Sequence, residues 1–563
     1  MVTVAILVLV AEAMLALAQR VTGGSIFATL ASDYPADAGG YVKIAVVGGS
    51  AAQGYNAERN FTDVLRHELS LRYPGRRFYV RNYARAGYPF HRYEAEVLKA
   101  VIDRYDVFLI YEGNNEAWNY LDDTGYFRTP RYKHRRTLQV PGQAEHDLKP
   151  ALRRFLESHS RLVLVSERLL QRYGAPWLDE LVAWVDGGER ARFYRYRRFH
   201  EFEPAGVVPD EELVRIRENF QRDLEEIAKL AERREKLVIV ASVPTNENYK
   251  PFFSVRRVGL AADRRARFET LHREGAAAYA RGDFGAAVAF LQQATAIESG
   301  VAITDYLLGM AYLRLLRAAE GRGHLQRSID EDGFPIRSLS SFRVIAQATA
   351  RTWNSVRYVD IVGTFHRLLD TGLQYDDLFA DLHHPSFMGH VVIAHDFLCA
   401  MARARRLDID PLTAPCGALD AERVRSLTSR YRRLLGISAR DESAAARLNA
   451  RWHLSMAGIT AYPEEYLRIA EAETVRYHAA SRKTAEERME TLLFLALVEA
   501  RRKNPTVAVA LANAAVALAP RSIGRFLQRQ LATGELLLEV LNHGGVQFSK
   551  REVRFTLIQP RPE

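Results

Sequence analysis

Four short stretches of this 563-residue chain carry residue types that could do nucleophilic chemistry together. The first is Val47-Gly48-Gly49-Ser50-Ala51-Ala52-Gln53-Gly54, where glycines flank a serine and permit a tight turn. A hydroxyl placed there could attack a substrate, but the same text suits a helix N-cap serine or a phosphate-holding turn. The lysine of a P-loop is missing, which weighs against the phosphate reading. The second stretch is Tyr111-Glu112-Gly113-Asn114-Asn115-Glu116. An asparagine N–H there could stabilise an oxyanion, or the side chains could simply cap a turn. The third is Phe379-Ala380-Asp381-Leu382-His383-His384-Pro385. With Asp381 and His384 three positions apart, the carboxylate can hold one imidazole nitrogen while the other faces a nucleophile. The fourth, Pro244-Thr245-Asn246, offers Thr245 and Asn246 as pocket-lining residues. His383, His390 and His395 raise a metal reading, but their spacing matches no helical two-histidine zinc motif, and two cysteines cannot make a four-cysteine site. No metal and no cofactor is expected.

These residues need a scaffold that gathers distant segments. Lys43 to Val47 is a short apolar run, followed by helical spacing from Phe61 to Leu71, a second strand at Phe78 to Val80, a helix near Glu94 to Ile102 and a third strand at Val107 to Tyr111. The pattern resumes with an amphipathic helix over Glu212 to Lys236, a strand over Leu237 to Val243, a fifth strand at Tyr358 to Val362 and a closing helix from Phe387 to Arg403. Near-continuous apolar strands alternating with helices predict an α/β fold, a three-layer doubly wound parallel sheet covered on both faces. In such a sheet the ligand crevice lies at the carboxyl ends of the strands. Ser50, Asn115 and Thr245 all follow predicted strands directly.

Together these blocks resemble the SGNH (GDSL) hydrolase superfamily. Ser50 matches its nucleophile block, although the common Gly-Asp-Ser-Leu text is here Gly48-Gly49-Ser50-Ala51. Gly87, in the run from Asn82 to Gly87, matches the second block, Asn115 the third and Asp381 with His384 the Asp-x-x-His-Pro block. The resemblance covers about 41 to 125, 215 to 260 and 340 to 405. It implies a flavodoxin-like core and an esterase that works through an acyl-enzyme. It also implies a triad of Ser50, Asp381 and His384, with an oxyanion hole from the N–H groups of Ser50 and Gly87 and the Asn115 side chain. A short acyl group is expected, and transfer to a sugar hydroxyl instead of water is the alternative. A catalytically silent scaffold bearing an interaction surface is the other.

Three regions lie around this core. The hydrolase domain is expected over 41–261 and 346–410, with a basic aromatic insertion at about 120–211. In that insertion Arg192 to His200 interleaves arginines and aromatics, which reads as an aromatic helix face with a solvated rim; no nucleic acid is expected as partner. A second insertion, 262–345, has Gly275 and Gly309 at the tetratricopeptide period of 34 residues, so paired helices and a protein partner are expected there. Residues 411–563 read as a C-terminal helical domain, with Val553 to Ile558 as a late strand. Residues 1–40 contain an apolar run interrupted by Glu12 and ending in Ala16-Leu17-Ala18. It reads either as a signal or membrane anchor, placing the protein in the periplasm or at a membrane, or as an amphipathic first helix. The composition, 48% hydrophobic and 26% charged, is that of a globular chain. A net charge of +10 spread over this length selects no anionic partner.

Overall fold

The computed structural model describes residues 40–87, 89–91, 95–117, 208–254, 260–404, 416–457, 460–479 and 483–519. The N-terminal segment, the stretch from Arg192 to His200 and the strand expected at Val553 to Ile558 lie outside them.

Five strands form one sheet: β1 (Tyr41–Gly48), β2 (Arg77–Asn82), β3 (Val107–Tyr111), β4 (Leu237–Ala241) and β5 (Val356–Val359). They pair in the order β2-β1-β3-β4-β5, and every ladder is parallel. Because side chains alternate along a strand, each strand feeds two cores. Ile44, Val46, Leu109 and Ile239 face one apolar cluster, while Ala45, Val47, Phe108, Ile110, Val238 and Val240 face another. Fully burying a large apolar side chain contributes about 1.5–3 kcal/mol, so a sheet covered on both faces needs strands this apolar.

The first cluster is closed by α2 (Phe61–Arg72), α10 (Ile361–Asp370) and α12 (Phe387–Arg403), through Phe61, Leu65, Phe365, Val392 and Phe397. The second is closed by α3 (Ala95–Val101), α4 (Asp210–Arg233) and α9 (Ser340–Thr352), through Leu98, Phe220, Leu224 and Phe342. α1 (Ser50–Gln53) is a single turn after β1, and α11 (Tyr375–Leu378) a single turn before the Asp381 loop.

Between β4 and β5 the chain runs through α5 (Ala262–Ala280), α6 (Phe284–Ile297), α7 (Ala302–Arg314) and α8 (Ala318–Asp330). These pack as helix pairs at glycine contacts. A Cβ at Gly275 would sit 2.6 Å from the Leu291 side chain, and one at Gly309 would sit 2.8 Å from the Gly321 carbonyl.

The C-terminal helices are α13 (Ala421–Leu434), α14 (Ala439–Met456), α15 (Pro463–Ala479), α16 (Ala485–Arg501) and α17 (Pro505–Leu518). They do not stand apart. Leu454, Tyr466, Phe494 and Ala512 belong to the same apolar cluster as Phe108 and Val238. Among the described residues no helix is long and apolar enough to cross a membrane.

Two strands end earlier than the sequence expectation. The fifth strand ends at Val359, not Val362, because the Asp360 carboxylate accepts the Gly363 N–H and starts α10. The fourth ends at Ala241, short of Val243.

Candidate active site

The chain leaves β1 for β2 on one side and later places β3 on the other, so β1 and β3 flank the point where strand order reverses. Their carboxyl ends are where an open parallel sheet leaves a crevice. The approach there is tight. A Cβ on Gly48 would lie 2.3 Å from the Tyr111 carbonyl oxygen and 2.6 Å from Ala52 Cβ, so only glycine lets the β1 end meet β3 and α1.

Ser50 is the first residue of α1, whose N-cap is Gly49 with no side-chain cap. The serine hydroxyl is therefore not spent on capping. It donates instead to His384 Nε2 at 2.7 Å. His384 Nδ1–H donates to Asp381 Oδ2 at 2.6 Å. Asp381 Oδ1 accepts the backbone N–H groups of His383 at 3.0 Å and His384 at 2.8 Å. The three groups are deeply set, with Ser50 6%, His384 2% and Asp381 1% exposed. Burial pushes the Asp381 carboxyl up, but the His384 imidazole, by charge and hydrogen bond, and then His383 and His453, hold it well below the usual carboxylate range. The arrangement can take a proton from a serine hydroxyl and hold the resulting imidazolium against a carboxylate.

Asn115 and Asn114 are both buried at the carboxyl end of β3, and Asn114 Oδ1 has no hydrogen-bond partner among the described residues. Gly87 adopts φ +77° in the loop after β2. That loop is tied to the Ser50 turn, since Ala86 N–H donates to Gln53 Oε1 at 2.8 Å and Arg85 N–H to the Gly48 carbonyl at 3.0 Å. Glu116, next to Asn115, binds the same loop from the other side by accepting the Phe90 N–H at 2.8 Å. Asn246 is buried and its N–H donates to the Leu382 carbonyl at 2.9 Å, which anchors the loop bearing Asp381. Thr245 lines a separate cleft with Glu247, Gln326, His366 and Tyr375. In it Glu247 accepts from His366 Nε2 at 2.9 Å and from the Tyr375 hydroxyl at 2.5 Å.

The histidines considered for a metal are scattered. His390 is buried against Phe61, and His395 meets Asp396 and Cys399. Only His383 joins Asp381 and His384, with one ligand atom from each within 4.8 Å of the others. Both Asp381 oxygens and both His384 nitrogens are already engaged in the hydrogen bonds above, which suits a proton relay better than a ligand set. Burial, followed by the His384 charge, lowers His383 to about 3 and keeps it neutral, and its Nδ1 has no partner among the described residues.

Three further residues touch the site without a strong sequence signal. Asn56 Nδ2 donates to Asp381 Oδ2 at 2.7 Å, from a left-handed backbone at φ +65°. The Gly54-Tyr55-Asn56 turn hints at such a conformation, since Asn tolerates it, but not at the partner. The Tyr55 ring lies 5.1 Å from the His384 ring. Trp452, on α14, stands edge-on to His384 and His383, at 5.9 Å from each. Its neighbour His453 secures α14: Nδ1–H donates to the Asn449 carbonyl and Nε2 accepts from the Tyr249 hydroxyl, both at 2.8 Å. Burial lowers His453 to about 4, consistent with the neutral tautomer these bonds require.

No family model and no curated protein matches the chain. Among solved structures, an α/β hydrolase from the metagenome of Lake Arreo, Spain, aligns at 13% identity, covering 64% of this chain and 95% of its own, with a TM-score of 0.26. An acetyl xylan esterase from Geobacillus stearothermophilus aligns at 13% identity over 63% of this chain and 92% of its own, with a TM-score of 0.25. Likeness at that level carries no functional weight, so the site's own geometry has to.

Proposed function

We propose that this protein is a serine hydrolase that cleaves a carboxylic ester through an acyl-enzyme, on a doubly wound core of SGNH type. The observation that carries the reading is the unbroken hydrogen-bond chain from Ser50 Oγ through His384 to Asp381. His384 Nε2 takes the Ser50 proton as Oγ attacks the ester carbonyl carbon. Asp381 keeps the imidazole in the Nδ1–H tautomer and stabilises the imidazolium. The oxyanion forms among the N–H of Ser50, which belongs to a first helical turn with no intrahelical acceptor, the N–H of Gly87 and the Asn115 amide. One such donor is worth about 3 kcal/mol in the transition state. His384 then returns the proton to the departing alcohol, and the same base activates water to release the acid. The reaction needs no metal and no cofactor.

A short acyl group fits this reading best, because the nucleophile is buried. The depth at which Ser50 is set also favours a second outcome, transfer of the acyl group to a sugar hydroxyl in place of water. The helix pairs of 262–345 fit tetratricopeptide-like packing and would offer a surface for a protein partner.

Incubation with a fluorophosphonate probe tests the core claim. Wild type should label covalently and Ser50→Ala should not. If neither labels, the chain is a silent scaffold and the proposal fails. Turnover of nitrophenyl esters from acetyl to long chain, with and without polysaccharide acceptors, then sorts acyl length and acceptor. Turnover of long chains alone would refute the short-acyl preference.

A further inference from the structure

Glu116 closes the run Gly113-Asn114-Asn115-Glu116 after β3 and is 3% exposed. A carboxyl group set that deep needs donors, and it finds one well outside its own turn: Oε1 accepts the Phe90 N–H at 2.8 Å. The segment it grips is itself anchored. Phe90 is fully buried with its ring 5.1 Å from that of Phe220, and His91 Nδ1 lies 2.6 Å from Asp223 Oδ2, both partners on α4. Gly87, three residues before Phe90, is held differently. It takes φ +77°, and a Cβ built on it would meet nothing within 4 Å among the described residues, so side-chain packing does not fix its N–H. Tethers on either side do. Before it, Ala86 N–H donates to Gln53 Oε1 at 2.8 Å and Arg85 N–H to the Gly48 carbonyl at 3.0 Å. After it comes the Phe90 bond to Glu116.

We propose that Glu116 is a positioning residue for ester cleavage, setting the separation between two oxyanion donors, the Gly87 N–H and the Asn115 amide. The inference rests on the serine hydrolase reading and deepens it. Glu116 is the chain neighbour of Asn115 and lies one hydrogen bond from the segment that follows Gly87, so it fixes each donor against the other without touching substrate. Donors stabilise an oxyanion only when they point to where its charge develops, and a displacement of about 1 Å can cost about 100-fold in rate. A residue that acts in this way changes the transition state and leaves ester binding alone.

The test compares full-length variants whose folding is checked by near-UV circular dichroism. Glu116→Ala removes the acceptor, and Glu116→Asp keeps the charge but withdraws it by one methylene; if the alanine variant does not fold, the aspartate variant decides. In each, kcat for nitrophenyl acetate should fall about 10- to 100-fold with KM little changed. The inhibition constant of methylboronic acid should rise by a similar factor, because its tetrahedral adduct on Ser50 puts an oxygen where the oxyanion forms. Glu116→Gln keeps a carbonyl oxygen for the Phe90 N–H and should recover most of the lost kcat. In an Asn115→Ala background, Glu116→Asp should cost much less than in wild type, since one of the two donors it spaces is gone. Wild-type kcat in Glu116→Asp, a loss that appears in KM instead of kcat, a glutamine variant as slow as alanine, or losses that multiply fully in the double variant would each overturn the proposal and leave the hydrolase reading intact. A wild-type chain that neither turns over the ester nor labels with a fluorophosphonate would overturn both.

Discussion

Asn56 offers the sharpest test of how the triad is held. Its amide donates to Asp381 Oδ2 at 2.7 Å, the same oxygen that accepts the His384 proton at 2.6 Å. Asn56 is 3% exposed, so no solvent replaces it readily if it is removed. In Asn56→Ala the carboxylate keeps two backbone N–H donors and the imidazole, and loses one donor. A hydrogen bond to a charged group contributes about 1.5–3 kcal/mol. The variant also places alanine at φ +65°, which adds about 1 kcal/mol of backbone strain. Stability should therefore fall by about 2–4 kcal/mol, read from urea denaturation. Asp381, less firmly held, lets the imidazole turn away from Ser50. If about 1.5 kcal/mol of that restraint is lost in the transition state, kcat falls about 10-fold with KM little changed. Asn56→Gly separates the two effects, because glycine relieves the backbone strain and still lacks the amide. It should lose kcat as fully as alanine does, with a smaller fall in stability. The assay is hydrolysis of nitrophenyl acetate by variants whose folding has been checked by near-UV circular dichroism. Wild-type kcat in both variants would refute the idea that this hydrogen bond orients the triad.

Glu116 and Trp452 give two further tests. Burial pushes the Glu116 carboxyl up to about 7, against the N–H groups of Phe90 and His91 that pull it down, and Asp223 adds to the rise. The unfolded chain releases that proton near the ordinary value of 4.5. Between those limits the folded state binds more protons, so stability should fall by about 3 kcal/mol as pH rises through the window. Glu116→Gln should flatten that slope in denaturation curves at pH 5 and 8, and an unchanged slope would count against the assignment. Trp452→Ala removes an edge contact worth about 0.5–1.5 kcal/mol against His384, which should lower kcat by a few-fold, and Trp452→Phe should restore most of it. A folded alanine variant with wild-type kcat would mean that Trp452 touches His384 without shaping the site.

Much of the core was legible because parallel strands buried on both faces must be apolar throughout. Val107 to Tyr111 and Leu237 to Ala241 have no other plausible reading, and both are central strands. The end of β5 departs from the expectation for a local reason: Asp360 caps a helix, and Val362 is apolar enough to pass for strand. The three residues of the proposed triad carried a signal because Ser50 sits between glycines and Asp381 stands three before His384. Asn56 and Trp452 carried little, since an asparagine in a turn and a tryptophan in a C-terminal helix have commoner uses.

Residue types and spacing thus determined which groups could react and which segments had to be strands. The meeting of Ser50 Oγ with His384 Nε2 across 334 positions was decided by the tertiary structure. So were the supporting amide from Asn56 and the placing of Trp452, on α14, edge-on to His384. The physical reason is that a contact between distant segments depends on how whole helices and strands pack, and local sequence encodes the face a residue presents but not what will be pressed against it.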